Sequence, residues 1–287
     1  MGKIRSVAVL GVGAMGAPIA DNMEAAGFDV RRWDPKPEAA TAPSAAAAAD
    51  GADAVLTMAP DGEACATAVR AAAPAAGTVW IQCATVSTGD TRDLAAVADE
   101  CGLAFVDAPV LGTTVHAVAR QLFVLASGPE SERKECEGVF ASTAARQVWL
   151  GAAGAGTRMK LVFNAWLHTL VVDIAESLAL AQALDVDPRQ FLEVVAGTPA
   201  DTPLLHDHGP AMLRHEFEPG LALEHAHKDA VEILASAHDA GLKLPLTATV
   251  LEMTDRALAQ GHRGKSFEAV YLTYQADEGE RPRRESD

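Results

Sequence analysis

Short apolar runs punctuate the first half of the chain. Residues 6–10, 29–33, 54–58, 78–82, 104–106, 121–126 and 147–150 read as strands. The first four show little polar alternation, as expected where both faces of a parallel sheet are covered. Between these runs, 15–26, 62–73 and 92–101 read as helices, and the Ala run 45–49 as a helix-compatible connector. Strand–helix alternation of this kind predicts a doubly wound α/β sheet. From Thr157 onward the strand signal stops. Residues 157–184 hold no Pro or Gly, which permits one helix of about 28 residues, roughly 42 Å long. Asp187 followed by Pro188 starts a second helix that stops at Gly197. Helices over 221–240 and 246–260 end at Gly241 and Gly261, and a short element follows Ser266. The break near Gly151–Gly156 predicts an α/β domain over 1–155 and an all-α domain over 156–275. The tail 276–287 has no large apolar residue and reads as disordered.

Composition narrows the function classes. The 287 residues carry 23 Lys+Arg against 39 Asp+Glu, a net charge of −16, with 49% hydrophobic residues. That apolar content excludes a mainly disordered chain. The acidity argues against nucleic acid or an anionic membrane surface as partner. No apolar run approaches the roughly 20 residues of a membrane helix, and the N-terminal apolar stretch is too short for a signal peptide. Met1-Gly2 with Ser6 fits a loose myristoylation pattern, but Ser6 opens a core strand, which outweighs it. Cys65, Cys83, Cys101 and Cys136 are widely spaced without a C-x-x-C and read as reduced, buried residues of a cytoplasmic protein.

The chemistry begins at Gly11-Val12-Gly13-Ala14-Met15-Gly16. This G-x-G-x-x-G follows a strand and opens a helix, the context that makes it a dinucleotide-binding turn. Gly11 permits the tight turn, Gly13 lets backbone approach a pyrophosphate, and Gly16 allows helix and strand to pack closely. The helix N-terminus then faces the phosphates. Asp34, beside Trp33 at the end of the second strand, suits the ribose hydroxyls and favours NAD. Arg31, Arg32 and Lys36 nearby leave NADP open. Further on, Lys160 and Asn164 lie four apart on one helix face, which His168 continues. A desolvated Lys lowers its pKa and can exchange a proton with a hydroxyl or carbonyl, although Lys160 alone also reads as a solvated lysine.

Four segments in order carry a resemblance. They are Gly11–Gly16 with Ala17-Pro18; Asp107-Ala108-Pro109-Val110 with Gly112, Gln121-Leu122 and Ser127-Gly128; Gly154-x-Gly156-x-x-x-Lys160-x-x-x-Asn164; and Lys228-Asp229. Together they resemble the β-hydroxyacid dehydrogenases of the 3-hydroxyisobutyrate dehydrogenase and tartronate semialdehyde reductase type, a 6-phosphogluconate dehydrogenase-like group. The resemblance implies a Rossmann-type doubly wound sheet followed by an all-α domain, and hydride transfer between NAD(P) and a β-hydroxy acid or related semialdehyde. It implies that Lys160 is the general acid/base and that Asn164 orients the substrate. Met58-Ala59-Pro60 would line the cofactor and Thr85 would sit beside the nicotinamide ribose. Lys228 would reach cofactor and substrate, held by Asp229. A loop at Leu111, Gly112 and Thr113, with Thr114, would bind the substrate carboxylate. A homodimer or homotetramer through the helical domain is also implied.

The chain departs from this pattern. The family's Pro-Val-Ser-Gly-Gly reads Pro109-Val110-Leu111-Gly112-Thr113, and its Ser-Thr pair reads Ala84-Thr85. Losing two hydroxyls and gaining a Leu predicts a bulkier or more apolar substrate. His206-Asp207-His208 reads as part of a Pro/Gly-rich loop. His225 and His227 point to different faces of a helix, so no metal site is expected. Two rival readings are an imine reductase-like enzyme, which carries Asp or Tyr in place of the Lys, and a non-catalytic dinucleotide-binding module. Lys160 with Asn164 counts against both.

Overall fold

A computed structural model describes residues 4–36, 38, 40–218 and 220–275. The expected tail lies outside them. The chain forms two compact units, one from the chain up to Phe163 with His238–Gly241, the other from Asn164–Ala237 with the chain from Leu242 onward. The boundary expected at 155/156 marks the start of a long helix, whereas the units part inside that helix, between Phe163 and Asn164.

In the first unit the chain runs β1 (Ser6–Leu10), α1 (Gly16–Ala25), β2 (Asp29–Trp33), α2 (Ala45–Ala49), β3 (Ala54–Thr57), α3 (Gly62–Ala72), β4 (Val79–Gln82), α4 (Thr88–Glu100) and β5 (Ala104–Asp107). The five strands form one parallel sheet in the order β2-β1-β3-β4-β5. Successive residues of β1 enter different core layers: Val7 and Val9 pack into one, Ala8 and Leu10 into the other. Trp80, fully buried, closes the second layer edge-on against Phe105, its indole N–H donating to Thr57 Oγ1 at 2.9 Å. Val7, Val9, Leu10 and Phe105 each contribute about 1.5–3 kcal/mol on burial. The expectation of strands covered on both faces holds for β1, β3 and β4. It fails for β2, an edge strand whose residues are half-buried or exposed. Strand order reverses between β1 and β3, and the crevice beyond the carboxyl ends of those strands is where open α/β sheets bind ligands.

The runs expected at 121–126 and 147–150 do not extend this sheet. They become β7 (Leu122–Ala126) and β8 (Ala144–Trp149) of a separate three-stranded sheet, β6-β7-β8, whose first strand is β6 (Val110–Leu111). After Pro109 the chain turns, and β6 runs antiparallel to β7 while β8 runs parallel to it. Two helices absent from the sequence reading complete the unit, α5 (Thr114–Val118) and α6 (Glu130–Thr143). α6 is strongly charged, and its buried stripe is narrow, led by Cys136, Val139 and Phe140.

The second unit is helical. α7 (Ala155–Ala183) enters it from the first unit, and α8 (Pro188–Val195), α9 (Pro203–Arg214), α10 (Leu223–Asp239), α11 (Pro245–Ala259) and a 3₁₀ helix, Phe267–Tyr274, follow. Leu178, Met212, Leu223 and Tyr271 are fully buried in its core. The segment read as a loop around His206 and His208 is α9. Thr202 caps it by accepting from Leu205 N–H, and Pro203 occupies the first turn. Among the described residues, α7 is long and apolar enough by length and composition to cross a membrane, contrary to the sequence expectation. Its buried row of Lys160, Asn164 and His168 suits a protein core, since such groups are costly in lipid.

Candidate active site

The turn between β1 and α1 has the geometry its glycines require. Gly11 adopts φ +98°, and a Cβ there would strike the Met58 carbonyl oxygen. A Cβ on Gly16 would strike the Gly11 carbonyl oxygen. Gly13 differs: nothing of the protein lies within 4 Å of where its Cβ would stand, and Gly13 and Ala14 are exposed. A glycine whose side-chain space is empty of protein fits one whose backbone a ligand approaches. α1 has no side-chain cap and no acid in its first turn, so its positive end is left for an anion. The residues present therefore suit a dinucleotide.

Trp33, Asp34 and Met58 adjoin this turn. Gly11 N–H donates to Trp33 O at 2.9 Å, and Met58 N–H to Leu10 O at 3.0 Å. Asp34 Oδ2 accepts from Val12 N–H at 2.9 Å and Oδ1 from Lys36 N–H at 2.8 Å. Each oxygen keeps a further lone pair for a ribose hydroxyl. Met58 and Ala59 are half-buried at the end of β3, and Pro60 is exposed. Thr85 is half-buried after β4, where the buried Gln82 side chain folds back to hold both backbone groups of Ala84. Two of the three cations that left NADP open are engaged elsewhere. Arg32 pairs with Asp21 at 2.7 Å and Glu24 at 2.8 Å. Arg31 donates to the Asp50 carbonyl.

Leu111 ends β6, and Gly112 turns at φ +121° with His116 and Leu122 packed against it. Thr113 caps α5 in a reciprocal arrangement: its N–H donates to His116 Nδ1 at 3.2 Å, and its hydroxyl lies 3.1 Å from the same nitrogen. Thr114 Oγ1 reaches Met15 Sδ at 3.8 Å, which sets this loop beside the glycine turn.

Lys160 is 9% exposed, on the second turn of α7. Asn164, four residues on, is also buried, and its Nδ2 donates to Asp229 Oδ2 at 2.8 Å. Asp229 Oδ1 pairs with Lys228 Nζ at 3.1 Å, so one buried carboxylate holds both Asn164 and Lys228. The resemblance implies Asp229 as the partner of Lys228; its bond to Asn164 is an addition of the structure.

Residues 6–151 match the family described as the NAD binding domain of 6-phosphogluconate dehydrogenase, and residues 154–274 match that described as the NAD-binding of NADP-dependent 3-hydroxyisobutyrate dehydrogenase. The chain belongs to the β-hydroxyacid dehydrogenase family. It is a dinucleotide-dependent oxidoreductase of hydroxyacids. A probable 3-hydroxyisobutyrate dehydrogenase of Mycobacterium tuberculosis is 32% identical over 94% of this chain and 98% of its own length. An L-threonate dehydrogenase of Cupriavidus necator is 30% identical over 93% of this chain and 95% of its own. The structure of a Mycobacterium tuberculosis 3-hydroxyisobutyrate dehydrogenase with L-serine superposes with TM-score 0.88 at 29% identity, covering 95% of this chain and all of that one.

Two residues of the Asp107–Gly128 motif, to which the sequence assigns no role, are buried at the start of the helix that carries Lys160. Asp107 and Ser127 meet the start of α7. Thr157 donates to Asp107 twice, from N–H to Oδ2 at 2.8 Å and from Oγ1 to Oδ1 at 2.7 Å. Ser127 Oγ donates to Asp107 Oδ2 at 3.1 Å and accepts from Gly156 N–H at 2.9 Å. Burial pushes the Asp107 carboxyl above its ordinary value, against the pull of these donors. The metal-type histidines are otherwise employed: His206 lies 2.6 Å from Asp201 and His208 2.7 Å from Glu268. Among the described residues no group of three or more His, Cys, Asp or Glu could hold a metal.

Proposed function

We propose that this enzyme exchanges hydride between NAD and the hydroxyl-bearing carbon of a hydroxy acid, with Lys160 as general acid/base. The observation that carries this reading is the burial of Lys160, 9% exposed, one turn from the buried Asn164 on α7. Burying an ammonium is costly without a use for it. In the oxidising direction Lys160 Nζ accepts the hydroxyl proton, and in the reducing direction it returns that proton to the carbonyl oxygen. Asn164, fixed by Asp229, orients the substrate oxygen. When bound, the nicotinamide supplies or accepts the hydride. Gly11–Gly16, Trp33, Asp34, Met58–Pro60, Thr85 and Lys228 would hold the cofactor, and Leu111–Thr113 the substrate acid. Domains over 1–155 and 156–275 would divide these tasks. Asp34 and the pairing of Arg32 support NAD over NADP.

Leu111 supports a substrate larger or more apolar than 3-hydroxyisobutyrate or tartronate semialdehyde. A homodimer or homotetramer is supported by the exposed Val162 and Trp166, one turn apart on α7. Free cysteines, of which Cys65, Cys83 and Cys136 are buried, support a reducing, cytoplasmic setting.

The test is Lys160→Met. Turnover should fall about 10²–10⁴-fold while NADH binding, followed by fluorescence, is kept. Turnover near that of the unchanged enzyme would remove Lys160 from the chemistry. A panel of hydroxy acids run with NAD and NADP reads substrate and cofactor preference together. Faster turnover of 3-hydroxyisobutyrate and tartronate semialdehyde than of larger substrates would refute the Leu111 reading.

A further inference from the structure

We propose that Asp107 is a positioning residue for Lys160. It sets where the start of α7 sits, and with it the proton-transferring amine. This rests on the reading of Lys160 as acid/base.

The start of α7 is unusual in where its cap comes from. Helices are ordinarily capped by a Ser, Thr, Asp or Asn immediately before the first turn. Here the residues before that turn are Ala153 and Gly154, and the cap is a fully buried carboxylate 50 residues away in sequence. It grips the first turn at two atoms of Thr157, and through Ser127 at a third, the Gly156 N–H. A local cap would satisfy the same N–H groups without burying a charge. A remote cap does what a local one cannot: it fixes the helix against the ends of two strands.

Those strands are fixed to each other. Asp107 and Ser127 form a two-way bridge, N–H to O, at 2.9 and 2.7 Å. Gly156 completes the seat. A Cβ there would strike the Leu125 carbonyl and come within 3.0 Å of the Asp107 carbonyl, so the helix backbone lies directly on the strand ends. Thr157 and Lys160 are three residues apart, one above the other on a helix face. A shift or rotation of the first turn therefore moves Lys160 with it. Asp107 also leads directly into Ala108-Pro109-Val110-Leu111, so the helix bearing the amine and the loop proposed to hold the substrate acid depart from one carboxylate. Asp107 reaches neither substrate nor cofactor in this account; it acts through Thr157.

The experiment uses the full chain and compares Thr157→Val, Thr157→Ser and Asp107→Asn with the unchanged enzyme. Melting temperature, NADH affinity, kcat, KM and the pH profile of kcat are measured for each. Thr157→Val keeps the shape and removes one donor. It should lower kcat about 10- to 100-fold with NADH affinity unchanged, the size of effect a small misplacement of a reacting group produces. Its kcat limb for the proton-transferring group should move along the pH axis, and Thr157→Ser, which restores the hydroxyl, should return both rate and limb. Asp107→Asn should show the same pattern more strongly. If Asp107→Asn does not fold, the Thr157 pair decides. Folded variants with unchanged kcat and an unshifted limb would overturn the proposal, even if their melting temperatures fall, because that marks a purely structural cap. Lys160→Met run alongside separates the two ideas. Full turnover in Lys160→Met removes the acid/base reading itself. Its loss, with Thr157→Val unimpaired, removes only the role of Asp107.

Discussion

Glu268 lies in the first turn of the 3₁₀ helix of the second unit and accepts from His208 Nδ1–H at 2.7 Å. Burial is the largest single influence and raises its carboxyl, but the hydrogen bonds it accepts, led by that from His208, together with the charge of His208 outweigh it, and Glu268 titrates below its ordinary range. A folded-state value below the unfolded one contributes stability above the unfolded pKa, about 4.3. That contribution is lost as pH falls through the lower, folded value. Glu268→Gln should thus lower the melting temperature at pH 7 and flatten its decline in acid. His208→Ala should cost about 1–3 kcal/mol in denaturant unfolding at pH 7, since it strips a largely buried carboxylate of its donor. A second residue under tension is Ala73, exposed, at φ +43° beyond the end of α3. A left-handed Cβ costs roughly 1–2 kcal/mol, partly offset by the freer unfolded glycine chain. Ala73→Gly should therefore stabilise by about 1 kcal/mol or less, read from the urea midpoint.

The β1–α1 turn separates what a glycine does for the fold from what it does for a ligand. Gly11→Ala places a Cβ against the Met58 carbonyl at a positive φ, so it should lower stability by more than about 1 kcal/mol. Gly13→Ala meets no protein atom. It should leave the melting temperature in place while weakening NADH binding in a fluorescence titration. The motif announced this turn because its requirements are local, settled within six residues. α9 and α6 were harder to read. Pro203, Gly209 and Pro210 spelled a loop, yet the segment is helical, with Gly209 facing the Leu192 side chain. α6 hid behind its charged surface.

The whole molecule carries −16 charges and belongs to a family whose cofactors and substrates are anionic. The anion-holding devices proposed for it are local: the uncapped helix start at α1, the turn at Gly112, the buried Lys160 and Lys228 beside Asp229. The exposed Val162 and Trp166 bear on assembly. If they lie between copies, Val162→Asp with Trp166→Glu should yield monomers in sedimentation velocity while NADH binding survives. An unchanged sedimentation coefficient would move the interface elsewhere.

Short-range order was legible in the residues themselves. Strand and helix periods, the glycine turn, the cap at Asp187, the short element after Ser266, and the four-residue spacing of Lys160 and Asn164 all follow from neighbours along the chain. Partner choice was not. The separations are 50 residues for Asp107 and Thr157, 65 for Asn164 and Asp229, and 60 for His208 and Glu268. Whether 121–126 joins the first sheet or starts a second is a decision of the same kind. Periodicity tells which face of an element is buried, but not which distant carboxylate will meet it there. That depends on how the sheets and helices pack, and packing placed a buried Asp under the first turn of the helix that carries Lys160.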